Sequence, residues 1–548
     1  MIKRSKGVLI VVVIAMASLS YGFGKGDLFE ITKNLDLFIS IVKELNLLYV
    51  DDIDSDELVE EGVNAMLKSL DPYTSYYPAE DVEGYNMQVS GKYGGIGAII
   101  RKIEDYVVVA EPYDGFPAFK AGLVAGDKIV EVEGVSVKGK GTDEVSKLLR
   151  GEPGTKVNIT IEKPVTEERI FKTLTREEIK VEAVPYYGMV NPQVGYIRLT
   201  NFTNDCSRDV RNALNELKQN NDLQGVVLDL RSNPGGLLQE AVKVSNAFVA
   251  KGKKVVSTKG RYYNHEKSFL TEEPPVDPEI PLVVLINQNS ASASEIVSGV
   301  IQDYDRGLVV GETSFGKGLV QTTMDLKYNA KLKMTTSKYF LPSGRCVQAI
   351  DYSGRYKDGA EKVPDSLRTK FKTDAGRLVY DAGGVRPDVE VEREKFSILT
   401  GSLYQQQLFF RFASDYHEKN GSIADANEFE LSDQEYNDFV AWLGTQEFSY
   451  TSESEKLLGD LRGTAEEEAY LTTIDADIKA LEASISAEKL KDLDKFRDQI
   501  KESLESEIVT QYYLQKGRIA NGLRDDPAIH TSVQLLQNQS EYKRLLNQ

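Results

Sequence analysis

Apolar positions near the start of the chain recur at helical spacing. Ile31, Leu35, Phe38, Val42 and Leu45 step by four, three, four and three, which predicts one helix from Asp27 to about Tyr49 with a single apolar stripe. Such a stripe serves packing or contact with a second copy. A second helix is predicted from Ser55 to Leu70. The period then shortens. Tyr106-Val-Val-Val-Ala110, Lys128-Ile-Val-Glu-Val132 and Lys156-Val-Asn-Ile-Thr-Ile161 are alternating or β-branched runs that read as strands. From Val181 strands and helices alternate. Val194–Thr200 reads as a strand, Ser207–Gln219 as an amphipathic helix, Gly225–Arg231 and Pro281–Asn287 as buried strands, and a helix begins at Glu295 with Ile296, Val300 and Ile301 on one side. This alternation predicts an α/β core whose strand ends meet at one edge. Beyond Glu392 glycine thins out and acidic helical sequence takes over. Leu471, Ile474, Ile478, Leu481 and Ile485 form one stripe, a break is expected at Ser484-Ile-Ser486, and Phe496, Ile500 and Leu504 resume the pattern. This region is expected to pack on the core or on a second subunit, with Trp442 in a core and no chemistry of its own.

With 548 residues the chain is long enough for several domains. A net charge of −19 argues against a nucleic-acid partner. The two cysteines, Cys206 and Cys346, make neither a disulfide scaffold nor a metal spacing and are expected as buried free thiols. The first residues carry a basic stretch (Met1–Lys6), an apolar run (Gly7–Leu19) and a small, turn-prone segment (Ser20–Gly24). That order reads as an export signal. The apolar run is short for a full membrane span. No clean small-x-small cleavage site follows it, so a cleaved signal and a retained anchor both fit. No cysteine follows, which argues against a bacterial lipoprotein. The bulk of the chain is placed outside the cytoplasm, in the periplasm or cell envelope, with inner-membrane anchoring left open.

Three strand-end loops carry candidate chemistry: Asn233-Pro-Gly-Gly236, Ser290-Ala-Ser-Ala-Ser294 and Gly311–Gly318. A serine at a strand-to-helix turn has an exposed hydroxyl and free backbone N–H groups beside it, which suits a nucleophile with an oxyanion site. The three histidines, His265, His417 and His530, stand in polar or acidic helical contexts that do not suggest a base. Lys317 lies between two glycines among apolar residues. Burial there would disfavour the ammonium and lower its pKa, and a Ser–Lys pair is a known variant of triad logic. One oxyanion N–H could come from Gly235 or Gly236 and the other from Ala293. On its own, Asn-Pro-Gly-Gly is more often just a tight turn; it is its place before a helix, in company with the other two loops, that favours function.

Ser290-Ala-Ser-Ala-Ser-Glu295 followed by Gly311-Glu-Thr-Ser-Phe-Gly-Lys-Gly-Leu-Val-Gln321 resembles the carboxyl-terminal processing peptidases, or tail-specific proteases. The resemblance implies that Ser292 is the nucleophile, that Lys317, at the family's spacing, is the base, and that Gln321 orients the lysine. It also places an acidic residue at Asp303. If the helix is regular, Asp303 lies about three turns, roughly 16 Å, beyond Ser292. It is therefore read as structural, pairing with Arg306 or fixing the lysine loop. Leu70-Asp-Pro-Tyr-Thr74, Tyr339–Arg345 and Gly383–Val389 resemble further family segments. Gly115–Val130, with Ala121-Gly-Leu-Val-Ala-Gly-Asp127 inside it, is similar to a PDZ domain, and Tyr93-Gly-Gly-Ile-Gly-Ala98 to its carboxylate loop. A substrate's terminal carboxylate would sit on the amides of Gly95, Ile96 and Gly97. Arg150 is either a surface arginine at a helix end or a relay from that domain to the catalytic site.

The implied fold is an α/β multidomain chain, a crotonase-like α/β serine peptidase core with an inserted PDZ domain. The expected divisions are 1–24 as signal or anchor, 25–85 as an N-terminal helical segment, 86–165 as the PDZ domain, 166–392 as the catalytic domain and 393–548 as a helical region. The implied function is an exported serine endopeptidase that acts near C-termini of polypeptides with apolar ends. No metal or organic cofactor is implied. An adaptor or activating protein and a homo-oligomer are both compatible. The alternatives are a catalytically silent PDZ scaffold and a binding protein of the cell envelope built on the same core.

Overall fold

The computed structural model describes residues 25–164, 166–220, 222–261, 266–352, 360–392 and 395–548. The expected signal segment, and His265, lie outside the described residues. The chain divides into two compact units, one of residues 1–79, 321–335 and 352–360, the other of residues 80–320, 336–351 and 361–548.

The smaller unit opens with α1 (Lys25–Leu48) and α2 (Ser55–Lys68). Asp54 caps α2 by accepting from the N–H groups of Asp56 (2.9 Å) and Glu57 (3.2 Å). Among the described residues, little covers the predicted stripe of α1. Leu35 is 56% and Phe38 44% exposed, and of the stripe Phe38 lies against α2, at Gly62. In the Leu70-Asp-Pro-Tyr-Thr turn, Asp71 accepts from the N–H groups of Tyr73 (2.8 Å) and Thr74 (2.9 Å). The turn leads into β1 (Ser75–Tyr77), which pairs antiparallel with Lys331–Lys333.

The larger unit begins with the domain that resembles PDZ. β2 is Lys92–Gly95, β3 is Ala98–Ile103, β4 is Tyr106–Pro112, β5 is Lys128–Val132, and α3 is Thr142–Leu149. They are followed by β6 (Lys156–Glu162), β7 (Arg169–Thr175) and β8 (Glu177–Lys180). An antiparallel sheet runs β3-β4-β5-β6-β7, and β2 pairs with β8. Strand pairing with this segment thus continues past residue 165, to Lys180. The Val107-Val-Val-Ala110 run lacks polar alternation because β4 is covered on both faces. Val107 and Val109 face the domain core, and Val108 packs on Phe410.

A six-stranded sheet is built from β9 (Tyr186–Asn191), β10 (Val194–Arg198), β11 (Gly225–Asp229), β12 (Leu282–Ile286), β13 (Leu308–Gly311) and β14 (Val389–Glu390), in that order. β9 is antiparallel to β10, and every later pair is parallel. Because side chains alternate between faces, each strand buries two sets. Val226, Leu228, Leu282, Val284 and Ile286 point into a core closed by α4 (Cys206–Asn220), α5 (Leu238–Ser245) and α6 (Ala293–Asp303). Val227, Val283, Leu285, Leu308 and Val310 point to the opposite face. That face is covered by the end of the chain.

The C-terminal region is helical, as expected. It includes α7 (Leu408–Lys419), α8 (Asp433–Leu443), α9 (Arg497–Gly522), α10 (Pro527–Gln537) and α11 (Gln539–Leu545). Ile529, Leu536 and Tyr542 close the second face of the sheet, and the Tyr542 hydroxyl donates to the Leu282 carbonyl (2.9 Å) and accepts from its N–H (2.9 Å). A helix spans Leu471–Lys489 without the break expected at Ser484-Ile-Ser486. Ser484 Oγ is satisfied inside the helix by donating to the Ala480 carbonyl (2.9 Å). Of that stripe Ile478 is buried, while Leu481 is exposed. Trp442 is half-buried and donates to Asp415 (3.1 Å). Both cysteines are free, with Cys206 buried and Cys346 half-buried rather than fully enclosed.

Candidate active site

The three candidate loops follow the C-terminal ends of β11, β12 and β13, adjacent parallel strands of one sheet. The crevice at such strand ends is where open α/β sheets place ligands. Ser292 stands at the N-cap of α6 with φ 55° and ψ −109°. A non-glycine residue held at positive φ on a strand-to-helix turn marks a strained, over-determined position. Two further serines fasten the turn. Ser290 Oγ donates to the Leu230 carbonyl (2.9 Å), and Ser294 Oγ donates to the Asn233 carbonyl (2.9 Å).

The glycine turn is pressed onto the serine turn. A Cβ on Gly235 would come within 2.7 Å of the Ala291 carbonyl oxygen and 2.9 Å of Ser292 Cβ, and one on Gly236 within 2.4 Å of the Phe202 carbonyl oxygen. No other residue fits at these two places. The two glycines have different hydrogen-bond roles. The Gly235 N–H donates to Asn233 Oδ1 (2.9 Å). Among the described residues, no backbone acceptor takes the N–H of Gly236 or of Ala293, the first residue of α6.

The residue that joins the serine loop to the lysine loop is Glu295, fully buried. Its Oε1 accepts from Ser314 Oγ (2.6 Å) and the Gly316 N–H (2.7 Å). Its Oε2 accepts from the N–H groups of Ser292 (2.8 Å) and Lys317 (2.8 Å). Two bonds of 2.8 Å to one oxygen place the Ser292 and Lys317 nitrogens no more than about 5.6 Å apart. Burial pushes the Glu295 carboxyl up from its ordinary value, and the four donors oppose that shift. Sequence reasoning took Glu295 only as the start of a helix. Ser-x-x-Glu is the signature of a capping box, and that half-truth hid its contacts with the lysine loop. Lys317 is half-buried between buried Gly316 and Gly318. Neither described histidine has contacts that bring it to this site. His417 lies edge-on to Tyr512, and His530 bonds the Arg524 carbonyl.

Residues 193–353 match peptidase family S41, 108–163 match the PDZ domain, and 399–536 match the probable PDZ-protease C-terminal helical domain. A carboxy-terminal-processing protease of Bartonella bacilliformis is 39% identical over 321 residues, which is 58% of this chain and 73% of the relative. The chain belongs to peptidase family S41. A probable CtpA-like serine protease of Staphylococcus aureus is 39% identical over 316 residues, 57% of this chain and 62% of the relative. Among solved structures, the photosystem II D1 C-terminal processing protease aligns with 65% of this chain and 92% of its own at 27% identity and a TM-score of 0.36. As an S41 carboxy-terminal-processing protease with a PDZ domain, the chain is a serine-type peptidase.

Gln321 belongs to the smaller unit, where its Nε2 donates to Thr335 Oγ1 (3.1 Å). Asp303, at the far end of α6, pairs with Arg345 (2.8 Å) rather than with Arg306, and accepts from the Ser343 N–H (2.9 Å). Arg306 is taken by the carbonyls of Phe248 and Asp277. In the PDZ domain the carbonyls of Ile96 and Gly97 accept from the N–H groups of Ala118 (2.8 Å) and Tyr113 (2.9 Å). The amides of Ile96 and Gly97 have no backbone acceptor among the described residues. Arg150, the cap residue of α3, lies over the Tyr93 ring (5.3 Å) beside Gly95. β3 is an edge strand, and α3 packs next to it. Ile99 on β3 and Leu148 on α3 are both exposed.

Proposed function

We propose that this S41 peptidase is an exported endopeptidase that cleaves polypeptides near their C-termini through a Ser292–Lys317 dyad. The observation that carries the reading is the single carboxylate oxygen of Glu295 shared by the Ser292 and Lys317 N–H groups. Lys317, as a neutral amine, takes the Ser292 Oγ proton as that oxygen attacks the scissile carbonyl. The tetrahedral oxyanion is stabilised by the N–H groups of Ala293 and Gly236, since Gly235 is committed to Asn233. Lys317 then returns the proton to the leaving amine. Water, with its proton taken by the same lysine, hydrolyses the acyl-enzyme and restores both residues. The offset of four residues supports Gln321 as the group that orients Lys317. No metal or organic cofactor enters these steps.

The PDZ domain supplies the end-recognition. A substrate tail adds as a strand to the edge of β3, its carboxylate meets the amides of Gly95, Ile96 and Gly97, and its last apolar side chain lies between Ile99 and Leu148. Export is supported by the basic-then-apolar start of the sequence. No helix among the described residues is long and apolar enough to cross a membrane.

The test is cleavage of an unfolded protein with an apolar C-terminal tail, with a charged-tail version as control. Wild type is expected to cleave the apolar-tailed protein, and Ser292→Ala and Lys317→Ala to lose about 10³-fold or more in rate. Retained cleavage in either variant would sink the dyad. Equal cleavage of both tails would sink the role given to the PDZ domain.

A further inference from the structure

The lysine loop carries one large apolar side chain that the fold leaves half in water. Phe315 is 49% exposed, while its neighbours Ser314 and Gly316 are buried. The loop cannot turn the ring inward. The N–H of Ser314 donates to the Val385 carbonyl (3.1 Å), that of Phe315 to the Ser290 carbonyl (3.0 Å) and that of Gly316 to Glu295 (2.7 Å). Gly316 stands at φ 87°, and a Cβ on it would come within 2.4 Å of Ala349 Cβ. Backbone held this tightly fixes the point from which the ring projects. Single apolar side chains on a surface are common, so exposure alone assigns Phe315 no role. What distinguishes Phe315 is its place in the site.

The serine loop follows the middle one of three adjacent strands, with the glycine turn after β11 on one side and the lysine loop after β13 on the other. On the β11 side, the Ala291 N–H donates to the Asn233 carbonyl (3.0 Å) and so fastens the oxyanion turn. On the β13 side, Phe315 is bonded to Ser290, two residues before Ser292. A scissile bond over Ser292 therefore has its carbonyl oxygen toward β11. Its nitrogen must point to the lysine, because Lys317 gives its proton to the leaving amine. Phe315 and Lys317 are two residues apart, so their Cα atoms lie within about 7 Å of each other. The side chain of the residue that owns the leaving nitrogen branches one atom further on, within reach of the ring.

We propose that Phe315 is a specificity-determining residue, whose ring takes an apolar side chain from the substrate residue directly after the scissile bond. The inference rests on the reading of the site given above. Ring and side chain leave water together when the departing segment is seated, which favours aliphatic and aromatic residues there over serine or a charged residue. Phe315 has no part in choosing the residue before the scissile bond, which lies toward β11.

The test uses the full chain and the unfolded protein with an apolar tail. Its fragments are sequenced by mass spectrometry to find the bonds that are cut. Peptides are then built on the fastest cut, all with the same C-terminal residue, and only the residue after the scissile bond is varied among leucine, serine and lysine. Wild type is expected to favour leucine over serine about tenfold or more in kcat/KM. In Phe315→Ala that ratio is expected to fall to within about twofold of unity, and in Phe315→Leu to stay within about threefold of wild type. Phe315→Glu is expected to favour lysine over leucine by about fivefold. A merely structural side chain would slow all peptides alike and leave the ratios where they were. In a second peptide set that varies the residue before the scissile bond, every variant is expected to show the wild-type ratios. A wild-type ratio in Phe315→Ala, leucine still favoured over lysine in Phe315→Glu, no leucine preference in wild type, or a shift confined to the residue before the scissile bond overturns the assignment. Cleavage that persists in Ser292→Ala or Lys317→Ala overturns instead the reading of the site on which it rests.

Discussion

Glu295 shows how one side chain can set a site without touching substrate. Each of its oxygens accepts two bonds, one pair from the lysine loop alone and one pair shared between the loops. Glu295→Gln keeps the shape but turns one oxygen into a donor, which must then face two donors. The expected cost is about 3–6 kcal/mol of stability, two charge-assisted bonds' worth, and about a hundredfold in kcat, measured by denaturant unfolding and by steady-state cleavage. Wild-type kcat in this variant would show that the loops hold their geometry without the carboxylate. Asp229 gives a prediction in pH. Burial alone would raise its pKa, but the Arg231 and Arg198 guanidiniums hold it well below the ordinary carboxylate range. A carboxyl with a depressed folded pKa stabilises the protein above its unfolded value, about pH 4, and the contribution is lost as pH falls further. Asp229→Asn should therefore be less stable than wild type by about 3–5 kcal/mol at neutral pH, with the gap narrowing below about pH 4. A gap that stays constant between neutral pH and pH 3 would count against the charge as its source. Ser292 and Lys317 stand out as candidates in the sequence because short contiguous motifs carry them. Glu295 does not, since its sequence signature is that of an ordinary helix cap. Nor does the Asp303–Arg345 pair, because its members are far apart in the chain and Arg306 stands nearer.

At the level of elements, hydrophobic period showed which faces are buried but not what buries them. The runs Val226-Val-Leu228 and Leu282-Val-Val-Leu-Ile286 read correctly as buried strands. Their second face is closed by α10 and α11, more than two hundred residues away in sequence. The stripe on α1 was equally clear in sequence and is left largely exposed by the described residues, since amphipathic spacing is the same whether the partner is one's own core or something else. The C-terminal helices are thus a layer of the catalytic sheet. A chain ending before Pro527 would expose Val227, Val283, Leu285 and Val310, and it is expected to aggregate in size-exclusion chromatography. A milder version is Ile529→Ala. Ile529 is fully buried against that face, so its truncation should cost about 2–4 kcal/mol, read by denaturant unfolding of the full chain. A soluble, active chain without α10 and α11 would mean that the sheet does not depend on this layer.

For the whole molecule, charge is the property with a consequence beyond the fold. A net charge of −19 surrounds an enzyme whose proposed substrates are unfolded chains. An unfolded chain presents its own charges over a long reach, so the field acts on it before either the PDZ domain or the serine does. Two versions of one unfolded protein, with the same apolar C-terminal residue, separate this effect from local contacts. One version carries extra lysines in its middle and the other extra glutamates. At about 20 mM salt the field is felt over roughly 20 Å, and at about 0.5 M salt over roughly 4 Å. The basic version is expected to be cleaved with a kcat/KM about tenfold higher at low salt, with the ratio falling toward unity as salt rises. Because the shared C-terminal residue keeps the PDZ contact constant, the change should lie in the encounter and hence in kcat/KM, with kcat alike for both. A ratio that persists at high salt would place the preference in short-range contacts near the scissile bond, and a ratio of one at low salt would mean that the acidic surface is turned away from the path the substrate takes.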